Sequence, residues 1–394
     1  MNGASTVLVV DNRQELRAEP GLHALIVGIS AYPNLRAFGE EPAPHHLGLT
    51  QVSGPALSAW RLAEFLKARS PDHQWCQKLK TLRLMVLPDA ADGIPANSAA
   101  TPPTQAAFKA AAHDWREDAN DDPNSIALLY FAGHGLQDGA GESLMVLADF
   151  GAGPGESFDG CACVANVFAG MTPSSLRGEL ARTQFFFIDS CRLRPEVLDR
   201  LDLGSAPNVF GLELDRIENR TAAPIIFAAK HGTPALTRQG EPTYFGEALL
   251  QALRRGATQA VPDPKNPGRV LWPVSTVPLA KAIEIQQRRL GRKPDLDRTG
   301  VFGDAPLLLL REAPFMDLEV RVDAGAVETV HDLALLAAPP SAVMDILHPV
   351  VPPPQSISIR AGIRQWRLRD NAGADLKSGI YNFTLDQGML HVQL

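Results

Sequence analysis

The 394-residue sequence predicts an α/β fold, a mostly parallel sheet flanked by helices on both faces, followed by a small C-terminal antiparallel β domain. Three observations carry this reading. From residue 22 to about 311, short wholly apolar runs alternate with amphipathic helical stripes, the pattern of strands buried on both sides beneath covering helices. Beyond Arg311 apolar and polar residues alternate at period two, as in strands with one wet face. The 32 prolines and 32 glycines provide for many loops. The expected division is an N-terminal extension over 1–21, the α/β domain over 22–311 and the β domain over 312–394.

The strand candidates are Leu22 to Ile29, Leu79 to Leu87, Ser125 to Ala132, Gln184 to Asp189 and Pro224 to Ala229. A first helical stripe places Leu57, Trp60, Ala63 and Leu66 on one face. Thr104 is placed to cap a second helix, in which Phe108, Ala111, Ala112 and Trp115 recur at helical spacing. Thr172-Pro173 is read as another helix start, with proline at the first helical position. Tyr244 to Arg254 and Val274 to Leu290 supply two more helices. Pro88 to Pro103 and Arg192 to Ala223 interrupt the alternation and are too long for plain connectors. In the last domain the strand candidates are Met316 to Val322, Ser356 to Arg360, Gln365 to Arg369, Ile380 to Leu385 and Leu390 to Leu394, with Pro-rich pieces at Ala337 to Pro340 and Pro349 to Pro354.

Composition excludes some classes of function. The net charge is −7, and no basic block stands out, so the electrostatic footprint of a nucleic-acid binder is missing. The first residues have no basic segment ahead of an apolar core, and no apolar run approaches the roughly 18 residues a membrane span needs. The expectation is therefore a soluble protein with neither membrane nor nucleic acid as partner. Four cysteines in so long a chain make no disulfide framework, which fits a reducing cytoplasm.

Chemistry concentrates at two strand ends. The run Ile126 to Ala132 leads into Gly133-His134-Gly135, and Phe185 to Ile188 leads into Asp189-Ser190-Cys191-Arg192. In open α/β sheets, reactive groups gather just beyond the carboxyl ends of strands. A thiol is a usable nucleophile near neutrality, the more so beside an imidazole. His134 and Cys191 lie 57 residues apart, close to the roughly 50 of the caspase signature.

At this point the chain closely resembles the caspase/metacaspase cysteine peptidases. The resemblance rests on His23-Ala24-Leu25-Ile26-Val27-Gly28-Ile29, Tyr130-Phe131-Ala132-Gly133-His134-Gly135 and Phe186-Phe187-Ile188-Asp189-Ser190-Cys191, with Phe245 to Leu253 similar to a later helix of bacterial members. It implies a caspase-like sheet over residues 22 to about 311, and a cysteine endopeptidase acting on a protein or peptide substrate. Cys191 would attack the scissile carbonyl, His134 would protonate the leaving amine, and the amides of Gly135 and Cys191 would form the oxyanion hole. No third triad residue and no organic cofactor are implied. The alternative is a catalytically silent scaffold or signalling protein that works through its C-terminal β domain.

In metacaspases the acid two residues before the cysteine lies in the S1 pocket and selects Arg or Lys, so the resemblance makes Asp189 substrate-binding and favours a basic P1 residue. The caspase arginine of the first loop falls on Val52, and the second metacaspase acid falls on Ser58. Asp138, Glu142 and Asp149 lie where some metacaspases bind calcium, the one ion the resemblance raises. No metal site is otherwise expected, since Cys161 and Cys163 have no second ligand pair nearby. The segment from Arg192 to Ala223, with Arg192, Arg194, Arg200, Arg216 and Arg220, is where family members are cut, either by themselves or by an activating protease or partner protein. A bacterial signalling, cell-death or defence pathway is the setting this implies.

Overall fold

The computed structural model describes residues 7–68, 73–95, 101–152, 158–195, 206–211, 213–257, 259–322, 332–337, 344–349, 355–369, 372, 374–383 and 389–392. Contacts divide the chain into two units: Met1–Arg69, Trp75–Gln251 and Ile283–Leu307 form one, and Ser70–Gln74, Ala252–Ala282 and Leu308–Leu394 the other.

The first unit is built on a seven-stranded sheet in the order Leu8–Asp11, Lys78–Leu87, Gly21–Ile29, Ile126–Ala132, Thr183–Asp189, Ala223–Phe227, Asp297–Val301. The middle five strands are parallel, and they are the five that the apolar runs predict. The outer two join antiparallel at the edges. Neither edge strand is visible in the sequence pattern, because Asp-Arg-Thr-Gly-Val carries a single apolar side chain and Leu8–Asp11 spans four residues.

Parallel neighbours require crossovers, and helices supply them on both faces. Helix α1, Pro55–Lys67, covers the face on which Gly28 lies: a Cβ at Gly28 would come 2.4 Å from the Ala59 Cβ and 2.8 Å from the Ala56 Cα. Helix α2, Gln105–Asp118, begins at Thr104, whose hydroxyl accepts from the Ala107 amide at 3.3 Å. It covers the opposite face, where Phe108, Ala111, Ala112 and Trp115 pack in one buried cluster with Leu25, Val27, Ile29, Leu129 and Phe131. The Trp115 indole also donates to the His23 carbonyl at 3.0 Å. Three further helices are α3, Val164–Gly170, α4, Tyr244–Arg255, and α5, Thr276–Arg289.

One expected helix is absent. Thr172-Pro173 opens a bridged turn, Ser174 to Arg177, instead. Its polar groups are taken by another segment: the Pro173 carbonyl accepts from the Ile217 amide at 2.8 Å, Ser174 Oγ donates to Glu213 at 2.6 Å and the Ser175 amide donates to Asp215 at 3.0 Å. Hydroxyl and amide groups used this way compete with helix formation.

The second unit contains a three-stranded sheet, in the order Gln355–Arg360, Phe315–Val322, Met389–Val392, and a four-stranded one, in the order Met344–Pro349, Asp332–Ala337, Gly362–Arg369, Asp375–Phe383. Pairing is antiparallel except between Phe315–Val322 and Met389–Val392, which run parallel. The strands at Asp332–Ala337 and Met344–Pro349 went unread because prolines flank both.

The contact between Gly28 and α1 yields a direct test. Gly28→Ala should destabilise the protein by about 1 to 3 kcal/mol through overpacking, read as a lower denaturation midpoint; an unchanged midpoint would show that α1 moves away freely.

Candidate active site

The pairing of two central strands assembles the site. In the parallel ladder Ala132 lies opposite Asp189, so the chain leaves both strands at one level, and two residues further on stand His134 and Cys191. The two chains stay together past that point: Gly133 N–H donates to the Asp189 carbonyl at 3.2 Å, and Gln137 N–H to the Leu193 carbonyl at 2.9 Å. Glycine is required between them. A Cβ on Gly135 would lie 2.2 Å from the Cys191 carbonyl oxygen and 2.5 Å from Ser190 Oγ, and one on Gly133 would lie 2.7 Å from the Tyr32 hydroxyl.

His134 is held from two sides. Its Nε2 meets the Thr50 carbonyl at 2.6 Å; a carbonyl only accepts, so Nε2 carries the proton and Nδ1 keeps its lone pair. Its amide donates to the Tyr32 hydroxyl at 2.8 Å, and that hydroxyl donates on to the Val146 carbonyl at 3.2 Å. The Tyr32 ring lies 4.9 Å from the imidazole. Gln51 clamps this loop, accepting from the Tyr32 amide at 2.8 Å and donating to the Tyr32 and Leu35 carbonyls at 2.6 and 2.8 Å. Burial lowers the imidazole pKa to about 4, against the opposing pull of the Thr50 carbonyl.

The Cys191 sulfur accepts from the Ala235 amide at 3.2 Å. Burial raises its pKa, outweighing that hydrogen bond, and the nearby Asp189 carboxylate adds to the rise. At neutral pH the resting pair is therefore a neutral thiol and a neutral imidazole. The next residue, Arg192, fixes the backbone here. Its guanidinium donates to Ser143 Oγ at 2.9 Å, pairs with Asp297 at 2.5 Å and lies 4.1 Å from the Phe227 ring centroid. Its own amide donates to the Thr233 carbonyl at 3.1 Å.

Asp189 is buried, at 3% exposure. Its carboxylate accepts from Tyr130 Oη at 2.7 Å and from the Thr243 hydroxyl. Thr243 is bonded in turn to Ser58, whose hydroxyl takes the Thr243 amide at 2.8 Å. Ser58, where the second metacaspase acid falls, thus belongs to the same polar cluster as Asp189. Burial raises the Asp189 pKa to about 6 even though Thr243, Tyr130 and the Gly246 amide favour the ionised form. Among the described residues no cationic side chain pairs with it.

The remaining candidates have other positions. Asp138 accepts from the amides of Ala140 and Glu142 within its own turn, and Asp149 accepts from the Gln105 amide at the start of α2. Among the described residues no three His, Cys, Asp or Glu side chains form a metal-binding group. Cys161 and Cys163 are free, on the short strand Cys161–Cys163. Of the five arginines after the cysteine, Arg192 and Arg220 are buried, Arg194 is exposed and Arg216 half-buried, and Arg200 lies outside the described residues. Sequence reasoning missed Tyr32, Thr50, Gln51 and Ala235, which hold the His134 and Cys191 side chains. Thr50 and Ala235 act through backbone atoms and leave no side-chain signal. Tyr32 and Gln51 could have been suspected only as polar-tipped residues in the loop after the first central strand.

Among the described residues no helix is long and apolar enough to cross a membrane. Comparison with known proteins gives four findings. An uncharacterized protein y4kE of Sinorhizobium fredii (strain NBRC 101917 / NGR234) is 27% identical over 230 residues, covering 56% of this chain and 62% of that protein's length. Among solved structures, protein GSU0716 of Geobacter sulfurreducens is 15% identical, with a TM-score of 0.41 over 71% of this chain and 93% of its own. Caspase-1 of Spodoptera frugiperda is 16% identical, with a TM-score of 0.41 over 72% of this chain and 87% of its own. A family profile described as the caspase domain matches residues 22–263, more than half of the sequence and, but for Gly21, the five parallel strands of the sheet, and this chain belongs to that peptidase family.

Proposed function

We propose that this chain is a cysteine endopeptidase in which Cys191 is the nucleophile and His134 the acid and base. The observation that carries the reading is the delivery of both residues from the carboxyl ends of adjacent parallel strands, with the free lone pair of the imidazole fixed on Nδ1 by the Thr50 carbonyl. The thiol proton passes to Nδ1 as the sulfur bonds to the scissile carbonyl carbon. That proton then goes to the leaving amine as the C–N bond breaks, and water, deprotonated by the same nitrogen, releases the acyl group. The amides of Gly135 and Cys191 donate to the oxyanion, each lowering the barrier by about 2.7 to 4 kcal/mol. No third triad residue is needed, because a backbone carbonyl does the orienting.

The preferred P1 residue is Arg or Lys. A buried carboxylate without a counter-ion is costly, and a cationic substrate side chain would supply what Asp189 lacks. The substrate is a protein or peptide, and the setting a regulated bacterial signalling, cell-death or defence pathway in the cytoplasm, with which four free thiols agree. In the segment after Cys191, an activating cut at Arg194 or Arg216 fits the exposure pattern better than one at Arg192 or Arg220.

Cys191→Ala and His134→Ala should each lower peptide hydrolysis at least about a thousandfold with an unchanged melting temperature. A peptidyl chloromethyl ketone ending in Arg should label Cys191 faster than iodoacetamide does at neutral pH, since the resting thiol is protonated. Failure of both reagents would favour a silent scaffold.

Asp189→Asn should abolish the preference for Arg over neutral P1 residues. In the parent enzyme that preference should fall as pH drops through about 6, where the carboxylate takes up a proton. The fold favours the protonated acid, so the stability this group contributes is lost as pH rises from about 4 through 6, by about 3 kcal/mol in all. The Asn variant should therefore be the more stable protein at pH 7.5. A variant that keeps the preference would make Asp189 purely structural.

Replacing Arg194 and Arg216 together with Gln should abolish fragments arising from this segment and lower the activity gained on incubation. Equal activation by the double variant would exclude cutting at these two positions.

A further inference from the structure

Three chain segments leave the carboxyl ends of adjacent parallel strands around the proposed dyad. The first carries His134 and, three residues on, Gln137; the second carries Cys191 and then Arg192. The third follows the strand Ala223–Phe227, turns from Lys230 to Thr233, and reaches Ala235, whose amide meets the sulfur at 3.2 Å. His231 sits in that turn and touches the other two segments through its side chain. Its Nε2 meets the Arg192 guanidinium, and its Nδ1 meets the Gln137 side-chain amide. The imidazole is 57% exposed, whereas Gln137 and Arg192 are buried.

The chemistry of these contacts fixes the state of the ring. Each guanidinium nitrogen of Arg192 has its own acceptor: Nε donates to Ser143 Oγ at 2.9 Å, Nη1 to Asp297 at 2.5 Å, and Nη2 to His231. A guanidinium cannot accept, and a neutral imidazole has one lone pair, so Nε2 and Nδ1 cannot both receive a hydrogen. The bond from Arg192 is charge-assisted and the stronger of the two. Nε2 therefore holds the lone pair and Nδ1 the proton. The Gln137 amide turns its oxygen to that proton, giving up a long 3.3 Å contact with the Gly141 carbonyl. Asp297, 4.0 Å from Nε2, pairs with the guanidinium and not with the neutral ring. Backbone bonds pin the turn to the Cys191 segment: the Gly232 amide donates to the Arg192 carbonyl at 2.8 Å, and the Arg192 amide to the Thr233 carbonyl at 3.1 Å.

We propose that His231 is a positioning residue of the dyad: as the neutral tautomer protonated on Nδ1, it ties the chain beyond His134 to the chain beyond Cys191 and fixes the separation of imidazole and sulfur. The backbone joins those two chains once at this level, through the Gln137 amide and the Leu193 carbonyl at 2.9 Å. A second link through His231 stops them pivoting about the first, and it holds the turn that leads to Ala235. Because the ring is exposed, its loss alters this spacing and not the core. The inference rests on reading the site as a peptidase.

The test compares the full-length parent, His231→Ala and His231→Gln on a fluorogenic peptide amide with Arg at P1. Small displacements of reacting groups are costly in rate, so His231→Ala should lower kcat at least about tenfold, with KM within about twofold of the parent and an unchanged melting temperature. Glutamine at this position can still offer an oxygen to Arg192, and His231→Gln should restore kcat to within about threefold of the parent. A second readout needs no turnover. In protein labelled with nitrogen-15 histidine, two-bond correlations through the carbon-bound ring protons should place the His231 proton on Nδ1, the signals being assigned by their loss in His231→Ala. The inference is overturned by an alanine variant with the kcat of the parent, by an effect confined to KM, by a glutamine variant no better than alanine, or by a proton on Nε2. If the parent cuts no peptide while the spectrum places the proton on Nδ1, the contact stands and it is the peptidase reading that fails, taking the positioning role with it.

Discussion

The geometry of the site depends on one register, Ala132 opposite Asp189 in the parallel ladder between two central strands. A parallel ladder holds its neighbours at a constant level, so residues equally far beyond matched positions emerge side by side. His134 and Cys191 are two such residues. Had either strand slipped by one position, its side chains would face the other side of the sheet. The apolar content of both strands guards against that slip: Phe186 and Ile188 pack in the cluster with α2, while Phe185 and Phe187 point to the other face and are also buried. Core packing and site geometry are thus the same constraint seen from two sides.

Around that frame, burial decides the electrostatics. The imidazole is driven toward neutrality, and the thiol is kept protonated against the donated Ala235 hydrogen bond. A buried ion pair would require two charges to be stripped of water in the resting enzyme. Keeping both groups neutral avoids that cost. Orientation accordingly falls to dipoles: the Thr50 carbonyl fixes the tautomer, Tyr32 packs against the ring, and Gln51 ties Thr50 to Tyr32 through backbone contacts. Arg192 does the corresponding work behind the sulfur, where a full charge is tolerable because Asp297 pairs with it.

What could be read from the sequence follows from where the information resides. The five central strands are legible because burial on both faces demands unbroken apolar runs, and α2 is legible because a capping threonine precedes a regular stripe. The strand Asp297–Val301 is not, since an edge strand with one neighbour tolerates polar residues. The Thr172-Pro173 start has the local features of a helix, yet Glu213, Asp215 and Ile217, some 40 residues away, take up its polar groups. His134 and Cys191, the proposed dyad, stand out in the sequence because the chemistry proposed for them requires particular side chains. The groups that aim them do not, because Thr50 and Ala235 contribute only the backbone atoms that any residue has.

Asp189 shows how the same fold accommodates a group that weakens it. Two hydroxyls and an amide hold the carboxylate ionised, yet burial still prevails and raises its pKa. Hydrogen bonds alone therefore do not offset the loss of water, and a formal charge is missing. A cluster serving only to stabilise the core would be met more cheaply by an amide at this position, which can accept from the same hydroxyls without carrying charge. On the proposed reading, the carboxylate two residues before Cys191 is a cost borne in the empty site and recovered when a basic side chain enters beside the bond to be cut.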